Sequence, residues 1–213
     1  MKKYSYVIGS VVLAMALVFA FTACDNGTTS GGGGEGSGGG GGDTTTYNIG
    51  DTGPGGGKVF YAKSSYSDGW RYLEVSPAVL GEISWSSTYA NVAGLAYETS
   101  SAIGKGKSNT AAIIAAHPGD TAANNAAKAC ADYRGPNDKD DWFLPSIWEL
   151  QEIYEQGTAA GITLEEFAWS SSQDGTLSYD NAAHYAYAIY FGNGNQNNFD
   201  KDSEFNVVAI RSF

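Results

Sequence analysis

The sequence predicts one domain over residues 47–213 that combines β-strands with α-helices. Short segments rich in aromatic and β-branched residues stand near its beginning and its end, and such segments are typical of strands. The stretch between them is rich in alanine and contains helix-capping residues. A domain of this length can bury a substantial core. We therefore expect strands near both ends and helices in the middle.

The first two strands are predicted at residues 58–62 and 70–75, each bracketed by glycine-rich turns. The glycine-rich run 51–58 has the composition of a phosphate-binding loop. However, Thr52 stands where that loop needs its first glycine, and Val59 stands where it needs a magnesium-binding Ser or Thr. The segment 106–108 has Ser101 in place of the same glycine. We interpret both segments as turns.

Two helices are predicted in the alanine-rich middle. Asn109 or Thr110 can cap a helix over residues 111–116, and Asp120 or Thr121 can cap a second one that ends near residue 133. In the second helix one stripe contains Ala123, Ala126, Ala127, Cys130 and Tyr133. Cys130 is therefore predicted to be a buried, unreactive thiol.

A third helix is predicted from a capping box, in which Ser146 and Glu149 satisfy backbone groups of the first turn. Ile147, Leu150 and Ile153 or Tyr154 form its predicted buried face. Residues 163–166 repeat the box and predict a short helical turn before Trp169.

Strands return after Trp169. Alternation predicts that Tyr187, Ile189 and Phe191 face the core and that the intervening residues face out. The outward set is Ala186, Ala188 and Tyr190. The last segment, 206–213, is apolar enough to lie inside a sheet.

The N-terminus predicts export and lipidation. Two lysines precede an apolar run over residues 7–21, and small residues stand directly before Cys24. This resembles a bacterial lipoprotein signal, with residues 1–23 as signal peptide and Cys24 as the lipidated residue. The alternative is an uncleaved membrane anchor, but the run is shorter than the roughly 20 residues that span a bilayer. Residues 24–46 are predicted to be a glycine-rich flexible tether.

Charge and cysteine content narrow the functional classes. The net charge is -11, and no basic stripe offsets it, so nucleic-acid binding is not expected. Besides Cys24 the chain contains only Cys130, so no disulfide framework is expected in the exported domain.

Four segments carry a family resemblance: residues 50–57 with 69–74, residues 141–146 with Glu149 and Leu150, residues 169–172, and residues 208–213. In their order and spacing they resemble the Lcl C-terminal domain family, a branch with a C-type-lectin-like fold found in bacterial surface lipoproteins. The resemblance implies an α+β domain with two to three helices packed on short antiparallel sheets. It also implies that the N- and C-terminal strands are adjacent.

The same resemblance implies a ligand-binding face in the long connection before the last strands, here residues 178–205. This segment is rich in Tyr, which offers rigid contact area, and in Asn and Ser, which form adaptable hydrogen bonds. The alternative is a polar surface loop without a ligand. The candidate ligand-binding residues are Tyr179, Asp180, His184, Tyr185, Tyr190, Asn193, Asn195, Asn197, Asn198, Phe199, Asp200, Asp202, Ser203 and Phe205.

A second resemblance concerns variation. Some lectin-fold lipoproteins that look similar in this segment are variable proteins of diversity-generating retroelements, in which adenines in Asn codons are randomised near the 3′ end of the gene. The candidate residues, together with Asn181, are of types that such randomised codons encode. This predicts a binding surface that differs between copies of the gene.

Catalytic and metal chemistry are less well supported. His117 and His184 have no motif partner at metal-ligand spacing, and residues 137–141 supply oxygen ligands without the full spacing of a calcium loop. The chain also lacks the Glu-Pro-Asn and Trp-Asn-Asp triplets of calcium-dependent sugar-binding lectins. We expect no catalytic residues, cofactor or metal.

The prediction is a lipid-anchored protein of the outer membrane or cell surface that binds a protein or glycan. The alternative is a structural envelope lipoprotein without a specific ligand.

Overall fold

The computed structural model describes residues 45–159, 161–175 and 179–213. The predicted signal peptide, Cys24 and the tether up to residue 44 lie outside the described residues. The strands are β1 (Lys58–Ser67), β2 (Trp70–Val75), β3 (Glu82–Ser84), β4 (Phe167–Gln173), β5 (Tyr185–Tyr190), β6 (Asn195–Asp200), β7 (Glu204–Asn206) and β8 (Ile210–Ser212). The helices are α1 (Tyr97–Ser100), α2 (Gly106–Ala116), α3 (Ala126–Asp132), α4 (Ile147–Gln156) and α5 (Tyr179–His184).

The strands form two sheets. A three-stranded antiparallel sheet has the order β1-β2-β8, so strands from the two ends of the domain are adjacent. A five-stranded sheet has the order β3-β7-β4-β5-β6 and is antiparallel except where β4 meets β7. The expected α+β class and the adjacency of the terminal strands are confirmed.

The middle of β5, in the five-stranded sheet, is covered on both faces. Ala186 and Ala188 belong to one apolar cluster with residues of α2 and α3, whereas Ile189 belongs to a second cluster with residues of α4. All three side chains are fully buried. The prediction that Ala186 and Ala188 face out was therefore wrong, because alternation reports which residues share a face and not whether that face is covered.

The capping box of α4 is confirmed. The Ser146 hydroxyl accepts a hydrogen bond from the Glu149 amide over 3.3 Å, and a Glu149 carboxylate oxygen lies 2.7 Å from the Ser146 amide nitrogen. The predicted inner face is also confirmed, since Ile147, Leu150 and Ile153 are fully buried. Glu149 itself is fully buried and accepts a further hydrogen bond from the Gly104 amide over 2.8 Å.

Helix α2 begins earlier than expected, so the interpretation of residues 106–108 as a turn was wrong. Asn109 and Thr110 are not caps but buried residues inside the helix. The Asn109 amide donates to the Ser100 carbonyl over 2.8 Å, and the Thr110 hydroxyl accepts from the Leu144 amide over 2.9 Å. Their polar groups bind neighbouring segments, which local capping rules do not register.

Helix α3 begins later than expected, with Asn125 as its cap accepting from the Lys128 amide over 2.9 Å. Asp120, one of the predicted caps, instead accepts from the Asn125 side-chain amide over 2.9 Å. Cys130 is fully buried as predicted, whereas Ala123 precedes the helix and is exposed.

Two further expectations in the second half of the chain were wrong. Residues 162–165 are not helical, and Ile162 and Leu164 pack against the second apolar cluster as the chain enters β4. The final segment is not one continuous strand, since Val207, Val208 and Ala209 are buried between β7 and β8 and belong to neither strand.

The glycine-rich run before β1 is a turn, as predicted, and it surrounds a carboxylate of the same chain. Glu74 is fully buried and accepts from the amides of Gly55 over 2.8 Å and Gly57 over 3.0 Å. Arg211 lies 3.0 Å from the same carboxylate and also binds Asp141. The backbone donors that could have bound a phosphate are therefore occupied by Glu74.

Candidate binding surface

The candidate ligand-binding residues are concentrated in a β-hairpin made of β5 and β6. The two strands pair over six consecutive positions without a bulge, from Tyr185 opposite Asp200 to Tyr190 opposite Asn195. Strand β5 lies inside the sheet between β4 and β6, and β6 is the last strand at the edge. The buried strand thus holds the polar edge strand in a fixed position.

Six of the predicted residues are exposed along β6 and the turns at its two ends. We call this group the hairpin surface. It consists of Asn193, Asn195, Asn197, Asn198, Asp200 and Asp202. Amide and carboxylate groups on a strand supported by a buried neighbour can form hydrogen bonds to a ligand with little further ordering.

Three other predicted residues pack against the rest of the domain, namely Tyr190, Phe199 and Phe205. Phe199 and Phe205 are partly buried against the first apolar cluster, and their ring centroids are 4.8 Å apart. Phe167 packs against Phe199 at 4.7 Å and against Tyr190 at 4.9 Å. These side chains support the hairpin from below, so their replacement would test packing rather than ligand contact. Ser203 is half-buried in the turn before β7.

A second group of predicted residues meets a tyrosine from a distant loop. The ring of His184 lies 4.3 Å from that of Tyr89, which is 44% exposed. A hydrogen bond to Asp202 raises the pKa of Tyr89 to about 12, and burial and the charges of Asp202 and Asp200 add to the effect. We call Tyr89, His184, Tyr185, Asp200 and Asp202 the end cluster. Tyr179 and Asp180 begin the adjacent α5, but their side chains lie outside the described part.

Sequence reasoning missed an aromatic group beside the hairpin. The Tyr97 ring lies 5.0 Å from that of Tyr187 and 6.4 Å from that of Trp148, and its hydroxyl is 3.3 Å from the side-chain oxygen of Gln196. Trp148 is 43% exposed. The sequence contained a signal for this group, because Trp148 is a large apolar residue on the polar side of the amphipathic helix α4, and such residues often mark a binding surface. Asn198 is held on this side by a 2.6 Å hydrogen bond to Asp174.

Lys201, between β6 and β7, anchors the hairpin to three other segments. Its side chain is fully buried, and its ammonium donates to the carbonyls of Ala90 over 2.7 Å and Ala182 over 2.8 Å, and to the Gln173 side chain over 2.9 Å. The same ammonium lies 4.4 Å from the centre of the Trp85 ring. Burial lowers the pKa of Lys201 to about 7. The loop that carries Tyr89 is therefore fixed relative to the end of β6.

The residues considered above as metal ligands or nucleophiles make contacts within the domain. Within residues 45–159, 161–175 and 179–213, no set of three or more His, Cys, Asp or Glu could hold a metal ion. Asn137 donates to the Pro54 carbonyl over 3.1 Å, and Asp141 binds Arg211. Burial raises the pKa of Cys130 well above its usual range, which disfavours a thiolate. His117 ends α2, with its Nδ1 2.9 Å from the Ile113 carbonyl oxygen.

The described helices are short. The longest of them, α2, has 11 residues, and none in this part of the chain is both long enough and apolar enough to cross a bilayer.

No protein-family profile matches the chain, and no curated protein is significantly similar to it.

Proposed function

We propose that this chain is a lipid-anchored binding protein of the cell envelope. Lipid on Cys24 holds it to a membrane, residues 24–46 act as a tether, and residues 47–213 form a C-type-lectin-like domain that binds a protein or glycan on another surface. The lipoprotein-like signal and the resemblance to the Lcl C-terminal domain family support this proposal. The α+β fold with adjacent terminal strands agrees with it.

The observation that carries the proposal is the contrast between the two strands of the hairpin. Ala186, Ala188 and Ile189 of β5 are fully buried, whereas four of the six side chains on β6 are exposed and polar. Rigid scaffolds commonly position binding residues in this way. The exposed amides next to partly exposed tyrosines match the chemistry of adaptable protein-binding surfaces.

The net negative charge of the chain limits the classes of ligand that it can bind. A net charge of -11 disfavours nucleic acids and strongly anionic polymers. Proteins and neutral or basic surface polymers remain, and both bind through hydrogen bonds and stacking of the kind that the hairpin surface and the end cluster offer.

The decisive experiment compares binding by the detergent-solubilised full chain and by a variant with Asn195→Ala, Asn197→Ala and Asp202→Ala. All three residues are exposed, so the fold should persist. Binding to intact neighbouring cells and to arrays of surface proteins and glycans should weaken at least about tenfold, as loss of several interface hydrogen bonds implies.

The matched control is Tyr66→Ala, which removes a 67% exposed tyrosine from β1 in the other sheet and should leave binding unchanged. Equal binding by the triple variant and the unaltered chain would refute the proposed surface. Absence of any bound partner on cells and arrays would favour a structural envelope lipoprotein.

Orientation is tested separately by adding protease to intact cells. If the domain is digested while a periplasmic control protein survives, the chain is displayed outside the cell. If both survive, the domain faces the periplasm and the display proposal fails.

We also propose that the hairpin surface is diversified between gene copies. Its exposed positions are Asn and Asp, which codons randomised at adenines can encode, while buried Lys201 stands between Asp200 and Asp202. The coding DNA decides this proposal. It requires a near-identical, adenine-rich template beside a reverse transcriptase gene, and the absence of such a template would end it.

A further inference from the structure

Among the described residues, the backbone groups on the outer edge of β6 have no strand partner. The Lys201 amide donates to the His184 carbonyl over 2.9 Å, whereas the Asp174 amide donates to the Tyr185 carbonyl over 3.0 Å. Backbone groups along a strand alternate in direction. Residues 184, 186, 188 and 190 therefore point towards β6, and residues 195, 197, 199 and 201 point back. The amides of Gln196, Asn198 and Asp200 and the carbonyls of Gln196 and Asn198 consequently point away from the sheet. The Asp200 carbonyl already accepts from the Ser203 amide over 2.9 Å.

This edge lacks the features that usually block strand addition. Protein edge strands are commonly protected by lysine, proline, bulges or short length. Strand β6 contains no lysine, arginine or proline, pairs with β5 without a bulge, and is six residues long. The opposite edge strand, β3, has only three residues. Among the described residues no strand pairs with the outer side of β6.

The charge around this edge is negative. Asp200, the last residue of β6, and Asp202, in the turn that follows, are both exposed. Lys201, the basic residue between them, is fully buried and donates to neutral acceptors. A partner that lies along β6 therefore meets two exposed carboxylates, while the ammonium of Lys201 between them is buried, and a positively charged partner is favoured.

We propose that the outer edge of β6 binds an extended, positively charged peptide segment by strand addition. The peptide backbone pairs with Gln196, Asn198 and the Asp200 amide, and its Lys or Arg side chains meet Asp200 and Asp202. This inference rests on the proposed binding function and names the partner class. A second copy of this chain is a poor occupant, because two chains of net charge -11 repel each other.

The test uses a fluorescent ten-residue peptide of alternating lysine and threonine and the full chain in detergent, with fluorescence anisotropy as the measurement. Three comparison peptides or variants separate backbone pairing from charge. A glutamate–threonine peptide should bind at least about tenfold more weakly, because like charges then meet. The lysine peptide N-methylated at every residue keeps its charge but cannot donate backbone hydrogen bonds, and its binding should fall by a similar factor.

The third comparison is Asn198→Pro against Asn198→Ala. Both remove the same side chain and its bond to Asp174, but only proline removes the outward amide, while the ladder with β5 is retained. Binding should survive in the alanine variant and be lost in the proline variant. If the proline variant fails to fold, judged by its near-ultraviolet circular dichroism, the N-methylated peptide decides the question with the unaltered chain.

Equal binding of the lysine and glutamate peptides, equal binding of the N-methylated peptide, or no binding of the lysine peptide would each overturn strand addition. Any of these three outcomes leaves the proposed function intact if the variant with Asn195→Ala, Asn197→Ala and Asp202→Ala still loses binding to cell surfaces. If the lysine peptide binds as expected and the triple variant keeps full cell-surface binding, the hairpin surface fails while the β6 edge stands.

Discussion

The strongest quantitative prediction concerns Glu149, whose carboxylate is buried inside the capping box of α4. Burial raises the pKa of Glu149 from 4.5 to about 7, although backbone amides of Ser146, Gly104 and Gly106 oppose the change. In the unfolded chain the group ionises near pH 4.5, so between pH 4.5 and 7 the folded state binds more protons. The free energy of unfolding therefore falls as pH rises through this interval.

The size of the effect follows from the same interval. The rise from 4.5 to about 7 corresponds to about 3 kcal/mol, at about 1.4 kcal/mol for each pH unit. Glu149→Gln keeps a side chain that is favoured at this helix position but cannot ionise. Below pH 4.5 the glutamine variant should be the less stable by about 1–3 kcal/mol, because its amide group cannot accept from every backbone donor. That deficit should shrink or reverse by pH 8.

The assay is urea unfolding of both proteins at pH 4, 5, 6, 7 and 8. The difference between the two free energies isolates Glu149, since every other group titrates equally in both chains. The difference should move by about 3 kcal/mol in favour of glutamine from low to high pH. A difference that stays constant across this range would show that the backbone donors fully offset burial, and the reasoning would be refuted.

Three further predictions concern other parts of the chain. Arg211→Met should lower the free energy of unfolding by about 3–5 kcal/mol in a urea titration, because Glu74 is left as a buried carboxylate without its cation; an unchanged midpoint would contradict this. Gly57→Ala should destabilise the domain by about 1–3 kcal/mol, because its Cβ would lie 2.3 Å from a backbone carbonyl oxygen, whereas Gly119→Ala meets nothing within 4 Å and serves as the control. Cys24→Ala should shift the protein from the membrane to the soluble fraction with an unchanged melting temperature; retention in the membrane would argue for an uncleaved anchor instead.

Local signals in the sequence were sufficient where the structure depends on neighbouring residues. The box at Ser146 and Glu149 predicted the start of α4 correctly, because both partners lie within one helical turn. The similar pattern at residues 163–166 failed, because the apolar side chains there pack on the second cluster in a non-helical segment. Asn109 and Thr110 failed as caps for a related reason, since distant carbonyl and amide groups bind them.

The candidate binding surface also combines features set by neighbouring residues with features set by distant ones. Exposure of the asparagines on β6 was expected from their composition. The packing of Phe199 and Phe205 was not, because both rings are partly buried against strands that are separate in sequence. Trp148 and Tyr97 lie beside the hairpin only because α1 and α4 pack next to β5.

The sequence by itself determined the strands at both ends of the domain, the α4 cap, the burial of Cys130 and the turn before β1. These depend on residue spacing and on preferences that act over a few residues. Only the tertiary structure decided that Ala186 and Ala188 are inside and that Lys201 is buried on acceptors such as the Ala90 carbonyl, 111 positions away. Burial is set by what packs against a residue, and for both features the covering segments come from remote parts of the chain.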